Sequence, residues 1–380
     1  MDFLKLDSFI KSQTEKGIPG CAVIVYKDGK EVYSGQAGYH DKEKGILYSV
    51  DSLINLYSTT KLITCVSALQ LYEQGKFTLN EPVSKYLPEF SEMTVKTKDE
   101  KGNQKIVPAK NQILIKHLFT MTAGFNYDVF AEDITNRVKE LGGNFPTREI
   151  CTVLSKRPLD FEPGTHWSYS LCHDVIGALV EVISGEDFES YVQKNILKPL
   201  GMNDTTFVRS EELYNKMARQ YKFNDEKNIA EEISKENVLI PGKGYYSGGA
   251  GLISNATDYI KFAVALANNG LGLNGYRVIS KATISLMKEN FLDEQCMKDI
   301  GTWSQIAGYG YGLGVRTLVD RQEGGLNAPL GEFGWSGMAG TYVVIDTENN
   351  LAVFYSQQMD NSLEWYTAPR LKNIVYSCID

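Results

Sequence analysis

Ser-x-x-Lys occurs three times in the chain, at Ser8–Lys11, Ser58–Lys61 and Ser285–Lys288. A serine hydroxyl is a poor nucleophile until a base takes its proton. A lysine can be that base only when neutral, so the usual lysine value of about 10.4 must fall through burial or nearby positive charge. At i and i+3 on a helix the two side chains share a face and can touch. A serine in the first turn also has unpaired N–H groups and the positive end of the helix dipole at hand, which could hold an oxyanion. Ser58 meets these conditions, because an extended segment precedes it and Lys61 is followed by LITCVSALQLY, a run too apolar for a surface helix. Ser8 lies within a charged amphipathic segment and Ser285 late in a short helix ending Lys-Glu-Asn, so their lysines read as solvated. The plainer reading of Ser58 is an N-cap serine with a snorkelling lysine, and the tetrapeptide alone does not separate the two.

Two further stretches could complete such a site. In FEPGTHWSYSLCHD, Tyr169 follows a Glu-Pro-Gly turn. A buried tyrosine can relay protons if a cation such as Lys61 lies near it; otherwise it is a core tyrosine bonded to backbone. In FGWSGMAGTYVVID, small residues open a strand. Glycine there lets a ligand approach the backbone, and the N–H of Met338 could be an oxyanion donor; the alternative is a bulge or tight turn.

Other chemistry finds less support. His166, Cys172, His173 and Asp174 are neighbours in sequence, but without the paired spacing of a zinc site. His117 or His173 could serve a Ser-His-Asp triad, yet there is no Gly-x-Ser-x-Gly elbow. SGGAG lacks the lysine of a phosphate-binding loop, and no dinucleotide fingerprint occurs. Neither a metal nor a cofactor is expected.

The elements that must position these residues are strands at both ends with helices between. Residues 3–16 read as an amphipathic helix, and CAVIVYKDGKEVYSGQAGY as a hairpin turning at Asp28-Gly29. A short strand over 52–57 leads into a helix from Ser58 to Gln74, with Gly75 as its stop. Residues 94–110 read as an exposed hairpin or loop, 113–202 as mainly helical, and 203–244 as polar and irregular. A helix to about Asn269 follows a Gly-rich turn; strands return over 309–319, 332–346 and 351–358, and a helix covers 367–378. The simplest packing puts the N-terminal hairpin and the C-terminal strands in one antiparallel sheet, with helices 3–16, 58–74 and 367–378 on its faces. Residues 1–75 and 246–380 would form the sheet domain and 76–245 a mostly helical one, with the site in the cleft between them.

Composition bounds the partners. A hydrophobic fraction of 43% with 23% charged residues is ordinary for a globular protein. The net charge of -8 and pI of about 5.3 argue against a nucleic-acid binder. The chain shows no signal-peptide core and no apolar run long enough to span a membrane. Its six scattered cysteines read as reduced thiols. The cytoplasm is therefore the expected location.

Ser58-Thr59-Thr60-Lys61 on a buried helix, PGTHWSYS with Tyr169, and GWSGMAGT entering a late strand, in that order, resemble the serine β-lactamase and penicillin-binding-protein superfamily. The likeness is closest to class C β-lactamase-like hydrolases and family VIII carboxylesterases, and runs from about Gly17 to Gln358. HLFTMTAGF, LKPLGMNDTTF, SGGAGLISNATDY and YGYGLGV add to it. The resemblance implies an α+β, β-lactamase/transpeptidase-like fold. It makes Ser58 the acylated nucleophile, Lys61 the general base, and Tyr169 the residue that shares proton transfer and activates the deacylating water. It puts Trp335-Ser336-Gly337 where the family has Lys-Thr-Gly, with the Ser58 and Met338 N–H groups as the oxyanion hole.

Two positions depart from the family. Leu171 stands where an asparagine often orients the lysine and binds a substrate amide, and Trp335 replaces a lysine or histidine. Tryptophan cannot attract the carboxylate of a penicillin or a D-alanyl peptide, and Trp-x-Gly is the family VIII form. The expected substrate is therefore a small or medium uncharged ester, with the tyrosines at 245, 246, 309 and 311 suited to an acyl pocket. A β-lactamase or D-amino-acid peptidase, and a non-catalytic scaffold, are the alternatives. Oligomeric state is left open.

Overall fold

A computed structural model describes residues 2–379. Helix α1 (Leu4–Glu15) buries Leu6, Phe9 and Ile10, the stripe its spacing sets. Strands β1 (Gly20–Lys27) and β2 (Lys30–Asp41) form the expected hairpin. Asp28 and Gly29 both take positive φ, +53° and +73°, as a two-residue turn between right-twisted strands requires. A short β3 (Ile46–Leu47) borders β2.

Helix α2 (Thr60–Glu73) follows. Every residue from Thr60 to Leu71 is buried, so α2 is enclosed on all sides rather than amphipathic. It packs chiefly on α3 (Cys172–Ser184) and not, as expected, across the sheet. The sheet face is taken instead by α4 (Ala256–Ala267), whose N-cap Asn255 accepts from the Asp258 N–H at 2.8 Å, a cap that contributes about 1 kcal/mol.

The C-terminal strands are β4 (Tyr309–Tyr311), β5 (Arg316–Leu318), β6 (Phe333–Ser336), β7 (Tyr342–Asp346) and β8 (Leu351–Gln357), followed by α5 (Glu364–Ile379). The sheet runs β4-β5-β6-β7-β8-β1-β2-β3 and is antiparallel throughout. Its centre is the pairing of β1 with β8, Cys21 opposite Gln357. Both strands are almost wholly buried, because α4 packs on β1 and β8 from one side and α1, itself packed on α5, covers β1 from the other. This is the α+β, β-lactamase/transpeptidase-like arrangement, an antiparallel sheet flanked by helices.

The stretch read as polar and irregular contains a hairpin, Gln220–Asn224 with Ile229–Ile233. Met359–Asp360 joins it in parallel just beyond β8. The alternation of buried Tyr221 and Phe223 with exposed Lys222 was present but spans too few residues to stand out. The hairpin Thr94–Lys98 with Gln104–Pro108 forms as expected. No helix among the described residues is long and apolar enough to cross a membrane.

Candidate active site

The site begins at a strained turn. Ile54–Asn55 pairs antiparallel with Ile253–Ser254, and the Leu56 N–H donates to Leu252 O at 2.9 Å. Tyr57 then takes φ +48°, which costs a non-glycine residue about 1–2 kcal/mol. Its surroundings hold it there. The ring is fully buried and its hydroxyl donates to Gln220 Oε1 at 2.7 Å. The Leu56 carbonyl accepts from the Thr59 and Thr341 hydroxyls at 2.9 and 3.0 Å. The chain therefore bends sharply, and Ser58 enters a 3₁₀ turn (Tyr57–Thr59) immediately ahead of α2.

Two groups converge on Ser58 Oγ. Lys61 Nζ lies 3.2 Å away and the Tyr169 hydroxyl 2.7 Å. Lys61 is fully buried, as its apolar context implied, and no carboxylate comes within 4.0 Å of Nζ among the described residues. Tyr127 stands beside them and shares a cavity with Ser58 and Tyr169. Its ring stacks on Tyr169 with centroids 5.1 Å apart, and Lys61 Nζ stands 5.1 Å from its centroid. Burial holds the Tyr127 phenol well above the usual tyrosine range, with a Ser58 hydrogen bond acting weakly the other way. On its opposite face Tyr169 stacks on Trp335 at 5.7 Å, so its ring is clamped between two near-parallel aromatics.

Lys61 is aimed by backbone. Nζ donates to the Gly249 carbonyl at 2.7 Å. Asp174 fixes that turn: its Oδ1 accepts from the Tyr245 hydroxyl at 2.8 Å, the Ser247 hydroxyl at 2.6 Å and the Gly249 N–H at 3.3 Å. A Cβ on Gly249 would lie 2.4 Å from Asp174 Oδ2, so only glycine fits.

The end of β6 closes the other side. A Cβ on Gly337 would meet Leu56 O at 2.3 Å and Thr341 Oγ1 at 2.2 Å, so β6 abuts the turn that carries Ser58. Neither the Ser58 nor the Met338 N–H donates to another backbone carbonyl among the described residues. Ser58 opens into a cavity of about 300 Å³. Tyr127, Phe130, Tyr169, Trp303 and Trp335 form its aromatic walls; Ser336, Gly337 and Met338 form its floor edge, and Glu364 is its one charged lining residue.

Of the residues singled out from sequence, Ser58, Tyr169, Trp335, Ser336, Gly337 and Met338 share this cavity, and Lys61 reaches Ser58 from the core. Leu171 does not line it; it is buried at the head of α3, its N–H donating to Asn126 O at 3.1 Å. Tyr245 faces Asp174 and Tyr309 faces Glu332, so neither is an acyl-pocket wall, and Tyr246 and Tyr311 are likewise absent from the lining. The sequence neighbours at 166–174 part company: His166 Nδ1 pairs with Asp299 Oδ2 at 2.9 Å, while His173 Nε2 bonds Phe119 O at 3.2 Å. His117 and His173 make no hydrogen bond to Ser58. Ser8 and Ser285 are both exposed. Tyr127 and Glu364 escaped the sequence reading, and so did the role of Asp174, which figured there only in the cluster weighed as a zinc site. The glycine pair at 248–249 was the nearest available signal for Asp174.

The family model described as Beta-lactamase matches residues 6–372. Esterase EstB of Burkholderia gladioli is 27% identical over 372 residues, covering 92% of this chain and 88% of the esterase. Protein Rv1367c of Mycobacterium tuberculosis is 28% identical over 344 residues, covering 89% and 85%. The solved structure of Simvastatin Synthase (LovD) from Aspergillus terreus superposes with a TM-score of 0.83 at 24% identity, covering 100% of this chain and 99% of that one.

Proposed function

The chain belongs to the Beta-lactamase family and is a serine hydrolase, and from that premise we propose that it is a carboxylesterase for small or medium uncharged acyl groups. The observation that carries this reading is the convergence of Lys61 Nζ and the Tyr169 hydroxyl on Ser58 Oγ at 3.2 and 2.7 Å. The Ser58 proton passes to the Tyr169–Lys61 pair as Oγ bonds to the ester carbonyl carbon. The Ser58 and Met338 N–H groups hold the resulting oxyanion. The C–O bond to the alcohol breaks, and the alcohol leaves with the proton returned through Tyr169. Water, deprotonated by the same pair, then releases the acyl group and restores Ser58. The Gly249 C=O fixes one N–H of Lys61 and so holds the amine towards Ser58.

Ser58, Trp335, Met338 and Glu364 come from residues 1–75 and 246–380, and Tyr127 and Tyr169 from 76–245. That division supports a cleft between a sheet domain and a mostly helical one. Trp335 in place of a cation, with Leu171 withdrawn from the cavity, favours esters over β-lactams or D-amino-acid peptides. The six cysteines are all free and buried, in keeping with the cytoplasm.

The experiment is intact-mass spectrometry after exposure to p-nitrophenyl butyrate and, separately, a fluorophosphonate, on the wild type and Ser58→Ala. The reading requires an adduct and nitrophenolate release on the wild type only. Release by a folded Ser58→Ala protein at the wild-type rate removes Ser58 from the mechanism. No adduct and no release by folded wild type favours a non-catalytic scaffold.

A further inference from the structure

Among the described residues Glu364 is the one charged side chain that lines the Ser58 cavity, and it shares that cavity with five aromatic rings. The Ser336 hydroxyl of the same cavity lies beside its carboxylate, and neither oxygen is a fully enclosed, unpartnered atom. Its plainer role is counter-charge to two buried cations behind the cavity. Arg316 and Lys372 share a single buried carboxylate, Glu332, at 3.7 and 3.0 Å. Yet Glu364 comes within 4.0 Å of neither cation, so the carboxylate stays available to the cavity. Burial raises its pKa, while the Ser336 hydroxyl and the charges of Arg316 and Lys372 oppose that rise. Lys61 is fully buried and is not a lining residue.

A carboxylate that shares a cavity with several aromatic rings matches one ligand chemistry well. Ring faces attract cations, quaternary ammonium most readily because its hydration is weak. The same arrangement repels a substrate carboxylate. Tyr127, Phe130, Tyr169, Trp303 and Trp335 provide the rings and Glu364 the charge.

We propose that this cavity is selective for esters whose alcohol part carries an ammonium group, held between Glu364 and the aromatic wall while Ser58 attacks the uncharged acyl carbonyl. The proposal rests on the reading of Ser58 as the acylated residue, and extends its substrate from uncharged esters to cationic ones.

The test compares butyrylcholine with 3,3-dimethylbutyl butyrate, which replaces the nitrogen by carbon at nearly constant shape. The wild type is expected to favour the cation by roughly tenfold or more in kcat/KM, and Glu364→Gln to bring the ratio to about one. A wild-type ratio of one or less overturns the proposal, as does a preference unchanged in folded Glu364→Gln. If that variant does not fold, Glu364→Met takes its place; if neither folds, the wild-type ratio decides. Turnover of p-nitrophenyl butyrate with neither butyrate ester accepted overturns this proposal and leaves the hydrolase reading intact. If no ester is turned over, the hydrolase reading fails, and quenching of tryptophan fluorescence by tetramethylammonium decides the cation site by itself: saturable quenching upholds it, and none removes it.

Discussion

Asp174 and Lys61 are joined through one residue, Gly249: the carboxylate accepts its N–H at 3.3 Å, and its carbonyl accepts from Lys61 Nζ at 2.7 Å. The acid thus aims the amine without pairing with it. Asp174→Asn should lower kcat/KM by about 100-fold, the scale of a misplacement near 1 Å. Gly249→Ala should do at least as much, since its Cβ has no room beside Asp174 Oδ2. Steady-state kinetics, with melting temperature as the control for folding, decides it; unchanged kinetics in either variant would show that Lys61 needs no such support.

Tyr169 donates no hydrogen bond to backbone, and its hydroxyl meets Ser58 Oγ at 2.7 Å. Tyr169→Phe keeps the stacking against Tyr127 and Trp335 but removes the proton path. Turnover of p-nitrophenyl butyrate should drop by about 10²–10⁴-fold with little change in melting temperature. Rapid-quench measurement of the acyl-enzyme separates the steps. A variant impaired in acylation only, with normal deacylation, would deny Tyr169 its part in activating water.

Gly337 lies where β6 meets the Ser58 turn, with no space for a side chain between Leu56 O and Thr341. Gly337→Ala should push the Met338 N–H off the oxyanion position and cost about 10²–10³-fold in kcat. KM should shift far less, because the walls of the cavity are untouched. A variant that loses KM and keeps kcat would place Gly337 in ground-state binding instead.

Two buried histidines make stability depend on pH. Burial holds His117 down at about 4 and His173 at about 3. Unfolded, each titrates near 6.5, so below that pH the unfolded chain binds more protons and stability falls as pH falls. The loss should reach about 2 kcal/mol for each by pH 5. Half-buried Glu181 and buried Glu189, whose values burial raises, act in the opposite direction. His117 Nδ1 accepts from the Leu114 N–H at 3.2 Å. His117→Asn can keep that bond without titrating, so urea unfolding between pH 7.5 and 5 should show a shallower pH slope in the variant. Identical slopes would exonerate His117.

What could be read from the sequence follows a physical division. Ser58 and Lys61 are three residues apart, so one helix brings them together and the apolar run behind them betrays the burial of Lys61. The Asp-Gly turn and the alternation around it likewise specify β1 and β2 locally. Tyr127, Asp174 and Glu364 carry no such mark. Each acquires its place only when segments distant in sequence meet around the Ser58 cavity, and an isolated Glu at the start of a C-terminal helix looks like any helix-start acid. The error over α2 has the same origin: an apolar helix must be covered, but its sequence does not say by what. Leu171 shows the converse, since a position singled out by a family resemblance can still lie outside the cavity.

The pairing of β1 with β8 has a consequence for how the protein is made. β1 leaves the ribosome early and finds β2 at once, but its other edge must wait for residues 351–357. Through most of synthesis the nascent chain therefore carries an apolar strand with one open edge, while the enclosed α2 lacks the neighbours that bury it. Sequence separation of this size makes folding slow and leaves intermediates prone to association. Chaperone demand and expression temperature, more than the stability of the finished sheet, should set the yield of this protein.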